Sequence, residues 1–254
     1  MQIFATHSFR GGSGKSFVAL NMAAQSARKG VKTIIMDCDF GSPSFQSSLI
    51  SKIKLKKFGN DFLLGTAEVP DVISPTNIAG LDAIYANPHP VLGKGLLDPS
   101  ETIHWTALKH FSKLREKLEK EGYKRLFLDS TPDLSYQSIS ALTVADSILL
   151  VHRPVLHTVD MTIYILQTIY SALKKSLKPR NFYVIYNQVP HGSNEKVMTL
   201  LDSVTEELRK TIDIRVLGHI SLDPTMDFWD SLIIREGNPL LSKLDQMLAS
   251  ISKT

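Results

Sequence analysis

The residues best suited to chemistry lie near the start of the chain, in the stretch Ser8-Phe-Arg-Gly-Gly-Ser-Gly-Lys-Ser16. The stretch follows residues 2–6, a short apolar run typical of a β-strand. Glycines let a backbone approach an anion closely, so that its N–H groups and those opening the next helix can point at phosphate oxygens. Lys15 could reach the β- and γ-phosphates, and the Ser16 hydroxyl could bind Mg²⁺. The predicted phosphate-binding residues are Gly11, Gly12, Ser13, Gly14, Lys15, Ser16 and Phe17.

Two familiar glycine loops fit this stretch imperfectly. A dinucleotide-binding loop needs Gly-x-Gly-x-x-Gly, and Phe17 stands where the third glycine belongs, which argues against hydride transfer. The P-loop pattern Gly-x-x-x-x-Gly-Lys-Ser/Thr has Phe9 at its first glycine position. A plain glycine turn with an accidental Lys-Ser is the alternative, and the position between a predicted strand and a predicted helix argues against it.

Two further predicted strands end in aspartate. In Met36-Asp-Cys-Asp-Phe-Gly41, the carboxylates of Asp37 and Asp39 stand two residues apart at a strand tip. Two neighbouring carboxylates repel each other unless a cation or another partner offsets their charge. Asp37 could therefore hold Mg²⁺ through water, and Asp39 could orient an attacking water. Asp129 ends a third apolar run and could hold a water of the Mg²⁺ shell. Capping of a turn is the alternative role for the first two carboxylates.

Apolar strand-like runs alternate with amphipathic stretches along the whole chain. The predicted strands are 2–6, 32–37, 81–86, 124–129, 147–151, 182–187 and 215–220, and the predicted helices are 15–28, 103–121, 136–144, 157–176, 195–211, 226–235 and 239–252. Several strands are nearly continuous apolar runs, as a parallel sheet covered on both faces requires. We therefore predict an α/β fold, a doubly wound and mostly parallel sheet with helices on both faces, forming a single domain over 1–254. In such folds ligands bind at the carboxyl ends of the strands, where the glycine loop lies.

Composition narrows the class of protein. The single cysteine, Cys38, excludes an internal disulfide and a multi-cysteine metal site. No leader is visible before the first strand and the apolar runs are too short to span a membrane, so we expect a cytoplasmic protein. A net charge of +4 permits acidic partners, for which Lys52–Lys57 and Lys174–Arg180 are candidate contacts, solvated charge being the alternative. The terminal helix, 239–254, could lie on a membrane, but its few lysines favour packing on the domain.

The stretch from Arg10 to Ser16 resembles the deviant Walker A motif of the MinD/ParA family of dimeric ATPases. In that family the first basic residue is a lysine that reaches the nucleotide of the partner subunit. Arg10 stands at that position here. An arginine keeps the positive charge and adds a planar fork suited to two phosphate oxygens. The alternative is an exposed arginine without such a role.

Other segments resemble the same family in the same order. Asp37-Cys-Asp39 is similar to the switch I motif, whose second aspartate positions the attacking water, and Asp129-Ser-Thr-Pro132 is similar to the Walker B segment. Asn187 occupies the place of an asparagine that hydrogen-bonds adenine. The segment Val216–Pro224 resembles a loop that lies against the base, so Asp223 and Pro224 are expected to contact the nucleotide.

The resemblance implies a switch protein that binds and hydrolyses ATP with Mg²⁺ and forms a homodimer with ATP. It also implies a stimulating protein of unknown identity and a role in positioning or partitioning a cellular cargo, with nonspecific DNA or a membrane as the surface. Attachment at a membrane or at the nucleoid follows as an option. Two alternatives stay open: a metabolic or maturation ATPase on the same fold, such as an amide ligase or a metal-insertion factor, and a nucleotide-binding module that does not hydrolyse. Relatives that move metals use paired cysteines, which this chain lacks.

Overall fold

Eight strands lie side by side in one sheet in the computed structural model, which describes residues 1–49, 55–87, 101–132, 135–154, 163–164, 167, 180–190, 195–222 and 234–252. The strands are β1 (Gln2–His7), β2 (Thr33–Asp37), β3 (Ile73–Pro75), β4 (Leu81–Ile84), β5 (Arg125–Asp129), β6 (Ser147–His152), β7 (Asn181–Val189) and β8 (Ile214–Ser221). Their order across the sheet is β3-β4-β2-β5-β1-β6-β7-β8. All neighbours are parallel except β3 and β4, which confirms the predicted mostly parallel sheet.

Helices cover both faces of this sheet, as the continuous apolar strands require. They are α1 (Lys15–Arg28), α2 (Phe45–Leu49), α3 (Gly59–Leu63), α4 (Val69–Val72), α5 (Glu101–Lys120), α6 (Tyr136–Val144), α7 (Glu195–Thr211) and α8 (Leu240–Ser252). One apolar cluster joins α5, α6 and α7 to the sheet, and a second joins α1 and α8 to it. Every residue of β2 and β6 is buried between the two clusters.

The terminal helix α8 packs on α1 and β8 through an apolar face. Its buried side chains are Leu244, Met247, Leu248 and Ile251. On the rim of this contact, Asp245 accepts a hydrogen bond from Gln25 Nε2 at 2.8 Å and pairs with Lys29 Nζ at 2.9 Å. The apolar stripe read from the sequence therefore faces α1 and the sheet.

Some predicted features differ from the structure or cannot be compared with it. The short elements α2, α3, α4 and β3 were not predicted, because segments of three to five residues carry no readable periodicity. The predicted helices 157–176 and 226–235 lie almost wholly outside the described residues. So do the first half of the basic run Lys52–Lys57 and all of Lys174–Arg180 except Arg180. In the described part of the chain, no helix combines the length and the apolar character needed to span a membrane.

Candidate functional site

The glycine loop joins β1 to α1 at the carboxyl edge of the sheet. It turns through two glycines in the left-handed region, Gly12 with φ 79° and Gly14 with φ 80°. Gly14 is the N-cap of α1 and offers no side-chain oxygen to the first turn of the helix. The first backbone N–H groups of α1 are therefore left without a capping side chain, and a ligand anion can accept their hydrogen bonds.

Open space surrounds the first half of this loop. A Cβ atom added at Gly11 or at Gly12 would meet no atom within 4 Å, and both glycines are exposed, as is Arg10. Ser13, by contrast, is buried, and its hydroxyl oxygen has no hydrogen-bond partner among the described residues. Space beside the loop and an unsatisfied polar atom in it are what a site for a bound anion would show.

Beneath the loop lies a buried pair of opposite charges. Lys15 Nζ is 2.9 Å from Asp129 Oδ1, and the two side chains are only 6% and 0% exposed. Thr6 Oγ1 donates a hydrogen bond to the same oxygen at 3.1 Å. The other oxygen, Asp129 Oδ2, is buried and has no partner in the described part of the chain. Such an oxygen is costly unless something outside these contacts satisfies it.

Three neighbouring strands bring the acidic groups together. Asp129 at the end of β5 is the register partner of Thr6 in β1 on one side and of Asp37 in β2 on the other. Asp37 is buried and accepts hydrogen bonds from the backbone N–H groups of Asp39 at 2.9 Å and Ser44 at 3.2 Å. Burial, followed by the charge of Asp129, raises the pKa of Asp37 to about 8. The buried carboxyl groups of Asp37 and Asp129, which form the floor of the site, are therefore not both ionised easily unless a cation binds beside them.

The residues after β2 form a turn at the same edge. Asp39 is half-buried, and its Oδ1 accepts a hydrogen bond from the N–H of Ser42 at 2.9 Å. Cys38, between the two aspartates, is fully buried, and burial and the charge of Asp37 raise the pKa of its thiol. A thiol held in the protonated state is a poor nucleophile, so this cysteine is a small packing residue.

Two amide side chains at the end of β7 contact the loop from its other side. Asn187 Nδ2 donates a hydrogen bond to the carbonyl oxygen of Ser13 at 2.8 Å, and Gln188 Nε2 donates one to that of Gly12 at 2.9 Å. The contact is so close that a Cβ atom at Gly14 would lie 2.1 Å from Asn187 Nδ2. Gly14 is thus required both by its backbone angle and by its neighbour.

The structure brings most of the predicted site residues to one edge. Those gathered at the carboxyl ends of β1, β2, β5 and β7 are Arg10, Gly11, Gly12, Ser13, Gly14, Lys15, Ser16, Asp37, Asp39, Asp129 and Asn187. Phe17 lies in the first turn of α1 with its side chain in the core, which leaves its backbone N–H as the group able to face a ligand. Asp223 and Pro224 lie outside the described residues.

Thr6 and Gln188 are the contributors that sequence reasoning missed. Thr6 carried a weak signal as the polar residue ending the first strand beside the loop. Gln188 follows the recognised Asn187 directly, and nothing in its type shows that it reaches the loop.

The donor atoms of this edge suit a magnesium ion. Mg²⁺ prefers oxygen ligands and keeps several waters, so it is held by one or two protein groups together with the phosphates of a substrate. The unpartnered Asp129 Oδ2, with the Ser16 hydroxyl at the head of α1, fits that requirement. Among the described residues, no three His, Cys, Asp or Glu side chains are grouped to hold a metal by themselves.

Comparison with known proteins yields one family match and several relatives. Residues 1–180 match a family described as an AAA domain. The sporulation initiation inhibitor protein Soj of Bacillus subtilis is 27% identical over 151 residues, which cover 59% of this chain and 57% of Soj. The chromosome partitioning protein ParA of Caulobacter vibrioides is 24% identical over 184 residues, which cover 71% of this chain and 66% of ParA. The chain thus spans less than two thirds of either relative.

A solved structure extends the likeness over the whole chain. The septum site-determining protein MinD of Pyrococcus horikoshii, complexed with Mg-ADP, superposes with a TM-score of 0.75 at 17% identity. The superposition covers 99% of this chain and 96% of MinD. At this identity the likeness establishes the fold.

Proposed function

Because the chain belongs to the MinD/ParA family of P-loop ATPases, we propose that it binds ATP with Mg²⁺, hydrolyses ATP to ADP and phosphate, and dimerises with the nucleotide. The observation that carries this proposal is the buried Lys15–Asp129 pair directly beneath an open glycine loop. The Mg-ADP in the MinD structure names the class of ligand.

The phosphate chain would lie in the loop. The backbone N–H groups of Gly11 to Phe17 would donate hydrogen bonds to its oxygens, and Lys15 would exchange Asp129 for the β- and γ-phosphates. The exchange keeps the ammonium group paired with an anion, and the metal ion would supply the positive charge that Asp129 loses, so neither buried charge is left unpaired. Ser16, Asp37 and Asp129 would hold the metal ion, Asp37 and Asp129 through its waters, and the ion would supply positive charge where the β- and γ-oxygens become more negative.

Hydrolysis requires a water in line with the γ-phosphate. Asp39 would orient that water, since it lies in the turn that follows Asp37. The water oxygen forms a new bond to phosphorus, the bond from phosphorus to the β–γ bridging oxygen breaks, and a proton is released with ADP and phosphate. By analogy with the family, we expect turnover to be slow and to be stimulated by a partner protein.

Arg10 would act across the dimer interface. Its side chain is exposed at the outer end of the loop, whereas Lys15 is buried at the inner end. An exposed guanidinium beside the phosphate site of its own subunit is well placed to meet an anion held by a second copy. Asn187, Asp223 and Pro224 would contact the adenine base.

The cargo and the surface follow from the relatives by analogy. ParA is a chromosome partitioning protein and MinD is a septum site-determining protein. We extend from them a role in positioning or partitioning a cellular cargo in the cytoplasm, at the nucleoid or at a membrane surface, with turnover stimulated by a partner protein.

The test measures nucleotide affinity, phosphate release and molecular mass by light scattering, each with no nucleotide, ADP or ATP. The wild type is expected to be a monomer that becomes a dimer with ATP. Lys15→Ala should lose nucleotide binding, and Asp39→Ala should bind ATP, release no phosphate and accumulate the dimer. Arg10→Ala should weaken the dimer more than ATP binding, and Arg215→Ala, an exposed arginine on β8, is its matched control.

Three results would decide against parts of the proposal. Equal ATP affinity of the wild type and Lys15→Ala would remove the nucleotide site. ATP binding with no phosphate release by the wild type would indicate a binding module. A monomer in every state would remove the dimer.

A further inference from the structure

Two amide side chains, Asn187 and Gln188, end β7 beside the glycine loop, and we name this pair the amide clamp. Its hydrogen bonds go to consecutive carbonyl oxygens, those of Ser13 and Gly12, at 2.8 and 2.9 Å. Asn187 is buried and Gln188 is half-buried. The two contacts join segments that are about 175 residues apart in sequence.

The backbone of β7 is deformed where the clamp lies. The register between β7 and β8 shifts between Tyr186 and Val189. Gln188 has φ 58°, and it is the only described residue other than glycine with a positive φ. A bulge of this kind re-aims a side chain and is common next to functional sites, and a left-handed glutamine costs free energy that some contact must offset. The hydrogen bond from Gln188 to Gly12 is a contact of the kind required.

Peptide planarity turns this contact into an orientation of the loop. In a trans peptide the C=O and the following N–H point in opposite directions. With the carbonyl groups of Gly12 and Ser13 turned toward β7, the N–H groups of Ser13 and Gly14 point away from β7. Those are two of the N–H groups that the proposed function assigns to the phosphates.

We infer that Gln188 is a positioning residue that presets the glycine loop for phosphate by holding the carbonyl oxygen of Gly12. This inference rests on the proposed function for the identity of the ligand. The hydrogen bond lies within the chain, so its effect on the loop can be measured without added nucleotide.

Three substitutions separate the hydrogen bond from the strain of the backbone. Gln188→Met keeps the length of the side chain and removes the donor. Gln188→Asn introduces a residue that tolerates the left-handed region, but its side chain is one methylene too short to reach the carbonyl oxygen of Gly12. Gln246→Met makes the first change at an exposed site on α8 and is the matched control. In the free protein, the rate of tryptic cleavage after the exposed Arg10 reports the stability of the loop.

Cleavage after Arg10 should be several-fold faster in both Gln188 variants and unchanged in Gln246→Met. Affinity for Mg²⁺ with inorganic tripolyphosphate should fall about two- to tenfold, the worth of one hydrogen bond, and affinity for ATP should fall by the same factor. Affinity for adenosine should be unchanged, and the Tm of Gln188→Asn should not fall. A purely structural role would instead lower the Tm and weaken all three ligands together.

Unchanged cleavage and unchanged tripolyphosphate affinity in both Gln188 variants would overturn the inference. The inference would also be overturned if only Gln188→Met lost tripolyphosphate affinity and its Tm fell as well, because backbone strain would then explain the effect. A third outcome separates the clamp from the proposed function. If the Gln188 variants are cleaved faster but neither the wild type nor Lys15→Ala binds ATP or tripolyphosphate, the clamp is supported and the proposed function is contradicted.

Discussion

On the floor of the candidate site, Lys15 and Asp129 are almost fully buried and contact each other at 2.9 Å, whereas on the rim Arg10, Gly11 and Gly12 are exposed. A Cβ atom on the floor, at Gly14, would overlap Asn187, whereas one at Gly11 or Gly12 would touch nothing. Both regions adjoin the same glycine loop, yet close packing within the chain surrounds only the floor. The floor is closely packed within the described residues, although Asp129 Oδ2 lacks a partner there, whereas open space surrounds the glycines of the rim.

The same residue type therefore serves different purposes along the loop. Gly14 is needed for its φ of 80° and for the close approach of Asn187, and Gly12 is needed for its φ of 79°. Gly11 meets neither requirement, since it has no positive φ and no near neighbour. A small residue at that position keeps space free, and this space is on the side that the proposed second subunit would approach.

The largest effect is expected from Gly14→Ala, which tests how crowded the floor is. A left-handed alanine costs about 1–2 kcal/mol, and the 2.1 Å overlap with Asn187 adds a further about 1–3 kcal/mol of strain. Urea unfolding should show the combined loss, and nucleotide binding should be abolished. Gly30→Ala is the control, because Gly30 has φ 80° but no atom within 4 Å of an added Cβ. Equal losses in the two variants would show that the floor is not crowded.

A smaller effect, with a pH signature, is expected at His152, which ends β6 at the same edge of the sheet. The imidazole is 4% exposed, neither ring nitrogen has a partner among the described residues, and burial lowers its pKa to about 4. Between pH 6.5 and 4, His152 binds a proton in the unfolded chain but not in the folded protein, so stability falls as the pH is lowered.

His152→Leu removes this dependence. Between pH 7 and pH 5 the wild type should lose about 2 kcal/mol more stability than the variant, measured by urea unfolding at both pH values. Equal losses of stability in the two proteins would mean that His152 gains a partner when it is protonated. The buried region around His152 would then be less rigid than described.

The smallest effect is expected from Gly11→Ala on the rim. With open space around the new methyl group, the free energy of unfolding should change by less than about 0.5 kcal/mol. Thermal unfolding and ATP affinity should therefore match the wild type, and any defect should be confined to the ATP-dependent dimer. A loss of stability as large as that of Gly14→Ala would remove the distinction between floor and rim.

The sequence was informative where a pattern is long or a motif is local. The continuous apolar strands predicted a mostly parallel sheet, and the loop motif predicted the family, and both are confirmed. The short elements between β2 and α5 were missed because they are too brief to show a period. The roles assigned to the site residues stay predictions.

The contacts that cross between strands could not be foreseen. Nothing in the sequence states that β5 lies between β1 and β2, so the raised pKa of Asp37 beside Asp129 was not predictable. Gln188 contacts Gly12 from a stretch of β7 whose pairing with β8 is irregular, and the sequence shows neither the contact nor the irregularity. Such features depend on the order of the strands, and in a linear sequence that order is not written.

The buried pair of Lys15 and Asp129 has a consequence for the way ligands enter. Lys15 and Asp129 are paired with each other, so a phosphate or a metal ion that arrives alone competes with an intact ion pair. When both arrive, each takes one member of the pair and frees the other. Nucleotide and metal are therefore expected to bind far more tightly together than one after the other. A low concentration of either alone should leave the ion pair intact.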